Sequence, residues 1–203
     1  MVCRGTSIAL MMSVYMAASP AALAADINAE ADYRQGLQLL EGTNRAEPDE
    51  AQALLLFERA AARHHPGAEL ELGFLAKDST RAVFWFREAA GHGNAEAQYN
   101  LGVAYALGDG VERSSATAAN LFEQAAIQGF PEAVYNLGIM HLNGDDVPRD
   151  VAFGCGLLTA AQDLGVEMEP GPTQECEQQP PDTRKEAERI AANRSLWRRD
   201  RRR

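Results

Sequence analysis

The sequence predicts an all-α chain, a short α-solenoid of antiparallel helix pairs closed by a C-terminal capping helix. Three observations predict it: a block that recurs at a fixed offset, apolar residues at helical spacing around glycine-bearing turns, and no segment with convincing strand alternation. Tyr99-Asn100-Leu101-Gly102 returns 36 positions later as Tyr135-Asn136-Leu137-Gly138. At the same offset Gly108 maps to Gly144, Val111 to Val147, Ala125 to Ala161 and Gly129 to Gly165. Ala89-Ala90 anticipates Ala125-Ala126, again 36 positions on. Agreement at so many positions marks a repeat protein.

Taken in chain order, residues 1–24 read as a secretory signal. Arg4 supplies the positive end, Ile8 to Ala18 the apolar run, and Ala22-Leu23-Ala24 a small-x-small cleavage site. An uncleaved anchor is the alternative, although the stretch from Ile8 to Ala25 is barely of spanning length. Residues 25–165 form the repeat body. Within it, Ala97, Leu101, Ala104 and Tyr105 share one face of a helix that Gly108-Asp109-Gly110 ends, because glycine accepts the positive φ of a helix C-cap. Ser114 or Ser115 caps the next helix, through Ala118, Leu121, Phe122, Ala125 and Ala126, and Asp150 does the same in the following unit. Residues 166–181 hold four prolines among Glu and Gln, and read as an irregular connector. Asp182-Thr183 then caps a final helix, Arg184 to about Leu196, whose Ala187, Ile190 and Ala191 cover the open end of the array. An Arg-rich tail, residues 198–203, ends the sequence.

These residues carry a resemblance. Ala-x-x-x-Leu-Gly-x-x-Tyr, then Gly-x-Gly-Val, then paired alanines with a glycine three further on, is similar to the Sel-1-like repeat, a subclass of the tetratricopeptide-like helical repeats. Ala97, Leu101, Gly102, Tyr105, Gly108, Gly110, Val111, Ala125, Ala126 and Gly129 match it in one unit. The following unit departs at His141 and Asp146. The unit from Ala68 to Gly93 keeps Leu72-Gly73 and Ala89-Ala90 but lacks about eight residues, and a degenerate unit from Tyr33 to His65 retains Gly36 and Ala61-Ala62. The resemblance implies a protein–protein interaction module, with the first helix of each unit lining a concave groove. On that likeness Glu96, Tyr99, Asn100, Val103 and Leu107 face the groove, flanked by Phe74 and Lys77 before them and by Tyr135, Asn136, Ile139 and Asn143 after. Asn100 and Asn136 stand where relatives hold a bound peptide through side-chain amides; the alternative is that each satisfies its own helix turn.

Charge narrows the partners. Residues 25–181 hold nine Lys and Arg against twenty-five Asp and Glu, a net of −16, whereas residues 182–203 net +5. An acidic body excludes a nucleic-acid-binding role. The Arg tail, with Trp197 beside it, suits an anionic membrane surface, an acidic partner or the chain's own acidic body. Signal removal takes Cys3 and leaves Cys155 and Cys176, an even pair that favours a disulfide in an oxidising compartment. The alternative is a buried free Cys155 and an exposed Cys176.

Catalytic chemistry finds little support. His64, His65 and His92 fall in inter-unit turns, where exposure is the rule, and no His-Glu-x-x-His, nucleophile elbow or phosphate-cradling loop occurs. Some cysteine-rich relatives are linked to β-lactam binding, but the chain has one cysteine pair after processing and no Ser-x-x-Lys motif. The expectation is a non-enzymatic, periplasmic or secreted adaptor of the bacterial envelope, monomeric, without cofactor or metal, binding a protein or peptide. Attachment to the envelope surface by the Arg tail and a β-lactam-interacting, hydrolase-like activity are the alternatives.

Overall fold

The computed structural model describes residues 20–42, 47–144, 147–168, 170–193 and 197. The expected apolar run of the signal, Cys3, Asp146 and the Arg tail lie outside the described residues. Ten helices and no strand occur among those described: α1 (Pro20–Glu41), α2 (Glu50–Ala61), α3 (Pro66–Phe74), α4 (Ser79–Gly91), α5 (Ala95–Leu107), α6 (Ser115–Ile127), α7 (Pro131–Asn143), α8 (Val151–Asp163), α9 (Pro170–Glu177) and α10 (Pro181–Ala192). α1 packs on α2, α3 on α4, α5 on α6 and α7 on α8, and the second helix of each of the first three pairs also touches the first helix of the next pair. α1 runs through the expected cleavage point after Ala24. None of the helices is long and apolar enough to cross a membrane.

Local chemistry sets the helix starts. Side chains of Asp49, Asp78, Asn94, Ser114 and Asp150 each accept a hydrogen bond from the backbone N–H three residues on. This satisfies one of the donors a helix N-terminus leaves unpaired. At the other ends, Gly108 and Gly144 close α5 and α7 with φ of 76° and 78°. The expected caps at Ser114 and Asp150 are the observed ones.

Within each pair the helices meet at a glycine of the first helix. A Cβ on Gly36 would stand 2.5 Å from the Phe57 ring, and one on Gly102 would stand 2.7 Å from the Phe122 ring. Gly73 meets Phe86 in the same way. In the last pair an aliphatic side chain replaces the ring: a Cβ on Gly138 would stand 3.1 Å from Leu158 and from the Gly154 carbonyl. Small residues on the second helices complete the contact, with Ala60, Ala89, Ala125 and Ala161 at 0% exposure. The first unit's alanine pair is therefore Ala60-Ala61, not Ala61-Ala62, because Ala62 lies past the end of α2 and is exposed. Phe57 and Phe86, both opposite glycines, are 29 residues apart and fix that register.

The C-terminal region differs from the expectation at three points. Residues 170–177 form α9 rather than an irregular connector. Pro170 and Pro172 fall in its first turn, where a backbone N–H has no partner to lose. α10 begins at Pro181, follows Pro180 without a side-chain cap, and ends at Ala192 rather than near Leu196. Trp197, expected beside the tail at a lipid surface, is 2% exposed and donates its indole N–H to the Ile190 carbonyl at 3.0 Å. It belongs to the core. α10 lies on α8, where a Cβ on Gly156 would stand 2.7 Å from the Ala187 carbonyl. Cys155 of α8 and Cys176 of α9 are joined, with Cα atoms 5.5 Å apart.

A Gly102→Val substitution drives a branched side chain into the Phe122 ring and lowers Tm by roughly 3–10 °C, the effect of about 1–3 kcal/mol of overpacking; an unchanged melting curve by circular dichroism refutes this contact. Peptide mapping without reduction should recover Cys155 linked to Cys176, and reduction should remove about 3 kcal/mol by relaxing a loop of some 20 residues. Two freely alkylated thiols would contradict the pairing.

Candidate partner-binding groove

The second unit is the short one. Its equivalent caps, His65 and Asn94, stand 29 positions apart rather than 36, so it holds seven residues fewer than the next. The loss falls on α3, which has 9 residues against 13 for α5, and on the turn that follows it. Residues 75–78 span what residues 108–114 span in the third unit. A cavity of about 400 Å³ opens there, lined by Phe74, Lys77, Asn100, Val103 and Leu107 among others. Phe74 is 50% exposed and Leu107 is 72% exposed, unusual values for large apolar side chains in ordered helices. The Phe74 ring meets Phe86 edge-on at 5.4 Å, which holds it at the rim.

The structure thus brings together Phe74, Lys77, Asn100, Val103 and Leu107 of the expected groove residues. Asn100 donates its side-chain amide to the Glu96 carbonyl at 2.9 Å, satisfying its own helix turn. Tyr99 is packed between helices instead of facing a partner, with its ring 5.0 Å from Phe130 and 5.8 Å from Phe122. Tyr135 and Ile139 are half-buried against the cluster of Leu142, Cys155, Leu158 and Ala187. Tyr135, Asn136, Ile139 and Asn143 do not line the cavity. The aromatic and aliphatic positions of α7 are recruited by the extra helices stacked on α8.

Glu96, Asn100, Val103 and Leu107 form one stripe of α5 at three- and four-residue spacing. At the Glu96 end the surface is acidic. Burial, and then the Glu96 charge, raise the Glu71 carboxyl above the ordinary carboxylate range. The Tyr33 phenol is raised by burial and by the charges of Glu71, Glu30 and Glu96. The stripe therefore passes from uncompensated negative charge to exposed apolar surface.

Another polar set lies within the units, between the first helix and the turn that ends the second. At equivalent positions of successive units, Asp32 pairs with Arg63 at 3.2 Å, Glu69 with His92 at 2.7 Å, and Gln98 with Gln128 at 2.8 Å. In the last unit Val134 and Leu164 hold these places within one apolar cluster. His64, Glu69 and His92 bring ligand-capable atoms within 4.8 Å of one another. Sequence reasoning treats His64 and His92 as separate exposed turn residues and passes over Glu69. The available signal is the stacking itself, which sets the turn of one unit beside that of the next. His65 and His141 are otherwise engaged. His65 caps α3 through Nδ1 and meets Glu30 through Nε2, and His141 is 4% exposed, with Nδ1 3.1 Å from the Pro148 carbonyl.

The comparison with curated proteins gave no match. Solved structures share the fold. A protective antigen of uropathogenic Escherichia coli displaying an SLR fold superposes with a TM-score of 0.75 at 24% identity, over 84% of this chain and 39% of that one. A Sel1 repeat protein from Oxalobacter formigenes superposes with a TM-score of 0.64 at 31% identity, over 68% of this chain and 42% of that one. The chain spans about two fifths of the length of both (39% and 42%). The Sel1 repeat model matches four times, at residues 29–65, 67–94, 95–130 and 131–166, the four helix pairs α1–α2 to α7–α8, and the chain belongs to the Sel1 repeat family.

Proposed function

We propose that this chain is an exported, non-enzymatic interaction module of the bacterial envelope, and that the groove between its second and third repeats receives a protein segment bearing an apolar side chain beside a basic one. The observation that carries the reading is the cavity with Phe74 and Leu107 exposed at its edge. Exposed apolar side chains around a concavity mark a surface built for contact. The raised Glu71 carboxyl supplies the second half of the partner's chemistry, because a cation placed between Glu71 and Glu96 relieves their mutual repulsion. Membership of an interaction-repeat family supports the general role, and the Cys155–Cys176 disulfide is compatible with an oxidising compartment. The surface-attachment alternative retains the Arg tail but not Trp197, which the core occupies.

The test is affinity capture from the native envelope with tagged mature protein, crosslinking and mass spectrometry. A Phe74→Asp/Leu107→Asp double variant, checked for unchanged helicity, should retain less than about a tenth of a specific partner, the loss of two apolar anchors being worth about 1.5 kcal/mol or more. Equal capture by the variant places the partner elsewhere. Turnover of a chromogenic β-lactam that is abolished by a single substitution would overturn the non-enzymatic reading.

A further inference from the structure

We propose that His64, Glu69 and His92 form a binding site for a divalent transition metal, zinc by donor type, at the junction of the first and second repeats. The proposal is independent of the groove.

The first argument is conformational. His64 has φ of 59°, the only positive φ on a non-glycine residue among those described. The places equivalent to it, just before the next unit's first-helix cap, are Gly93, Gly129 and Gly165, with φ of 87°, 89° and 96°. Three units thus use the residue that tolerates this geometry, and the remaining one holds an imidazole in it. A side chain kept in a strained backbone conformation where its counterparts have none points to a use for that side chain.

The second argument is chemical. Glu69 is a carboxylate at 1% exposure, and its hydrogen-bond partner is His92, with Nδ1 2.7 Å from Oε2. One unit on, the uncharged pair Gln98 and Gln128 makes the equivalent contact without burying an acid. The second unit carries an ionisable pair where the third carries a neutral one, and it adds His64, whose ring lies 5.1 Å from that of His92. Two imidazoles and one carboxylate are the donor set of open zinc sites. A hard-cation role is excluded by type, since calcium and magnesium take oxygen ligands.

The third argument is geometric. Tetrahedral zinc with N and O ligands at about 2.0–2.2 Å separates its ligand atoms by about 3.3–3.5 Å. The three atoms here already lie within 4.8 Å. Glu69 is fixed in the core, whereas His64 and His92 are exposed and adjust by side-chain rotation, His92 opening from its 2.7 Å hydrogen bond and His64 turning toward the pair. Both histidines face solvent, so the fourth position is open to water or to a ligand from a partner. His65 is not a ligand, being held by Ala68 and Glu30.

The test is calorimetric titration of Zn²⁺ into the metal-stripped, untagged mature chain with its disulfide intact, alongside melting curves with and without the ion. One equivalent should bind with a micromolar or tighter Kd and raise Tm. His64→Gly restores the residue of the other units, should leave the metal-free Tm unchanged or higher, and should weaken Zn²⁺ binding at least tenfold. A Glu69→Gln/His92→Gln variant, which rebuilds the neutral pair of the next unit, should fold and lose binding. No binding by the wild-type chain below about 100 μM, or undiminished binding by either variant, overturns the proposal.

Discussion

Every helix pair in this solenoid depends on one close approach. A glycine of the first helix lies under a large side chain of the second, Phe57, Phe86, Phe122 or Leu158, at a distance that leaves no room for a methyl group at Gly36, Gly73 or Gly102. That contact sets how near the two axes come, and so determines which residues reach the next pair. Alanine three residues along from that side chain, at Ala60, Ala89, Ala125 and Ala161, completes the same contact and is buried without remainder.

Within a unit, the sequence is legible because its signals are local. Caps at Ser114 and Asp150, turn glycines and the 36-residue return of Tyr-Asn-Leu-Gly all act over one or two helix turns or along a fixed period. The C-terminal region is less so. Proline reads as a breaker in residues 166–181, whereas at the first turn of α9 it costs no hydrogen bond. Trp197 reads with the charges that follow it, yet an indole seven residues past Ile190 reaches back to that carbonyl and seals the end of the core.

The groove shows where such reading stops. Phe74, Lys77, Asn100 and Val103 follow from analogy of position, and they do surround one cavity. What makes that cavity is a deletion, and the space left by missing residues has no residue of its own to announce it. Tyr135 and Ile139 occupy equivalent or similar positions on α7 and are covered, because what stacks on α8 is the α9–α10 cap and not another repeat. Equivalent positions in a repeat array therefore have equivalent backbones but not equivalent neighbours. His64, Glu69 and His92 are the same lesson from the opposite side: residues unremarkable in the chain become a cluster when two turns are stacked.

The pairs at equivalent positions within the units also order the array. From the N-terminal end they run from ion pair, through carboxylate and imidazole, through two amides, to an apolar contact. In a linear array, stability is a sum of unit and nearest-neighbour terms, so units with unequal internal contacts give the chain a direction. Salt screens the ion pair of the first unit and does not reach the apolar contact of the last. The four repeats thus grade from a charged contact to an apolar one, and the disulfide and the cap lie at the apolar end. Raised salt therefore acts on the first unit while the far end keeps its packing.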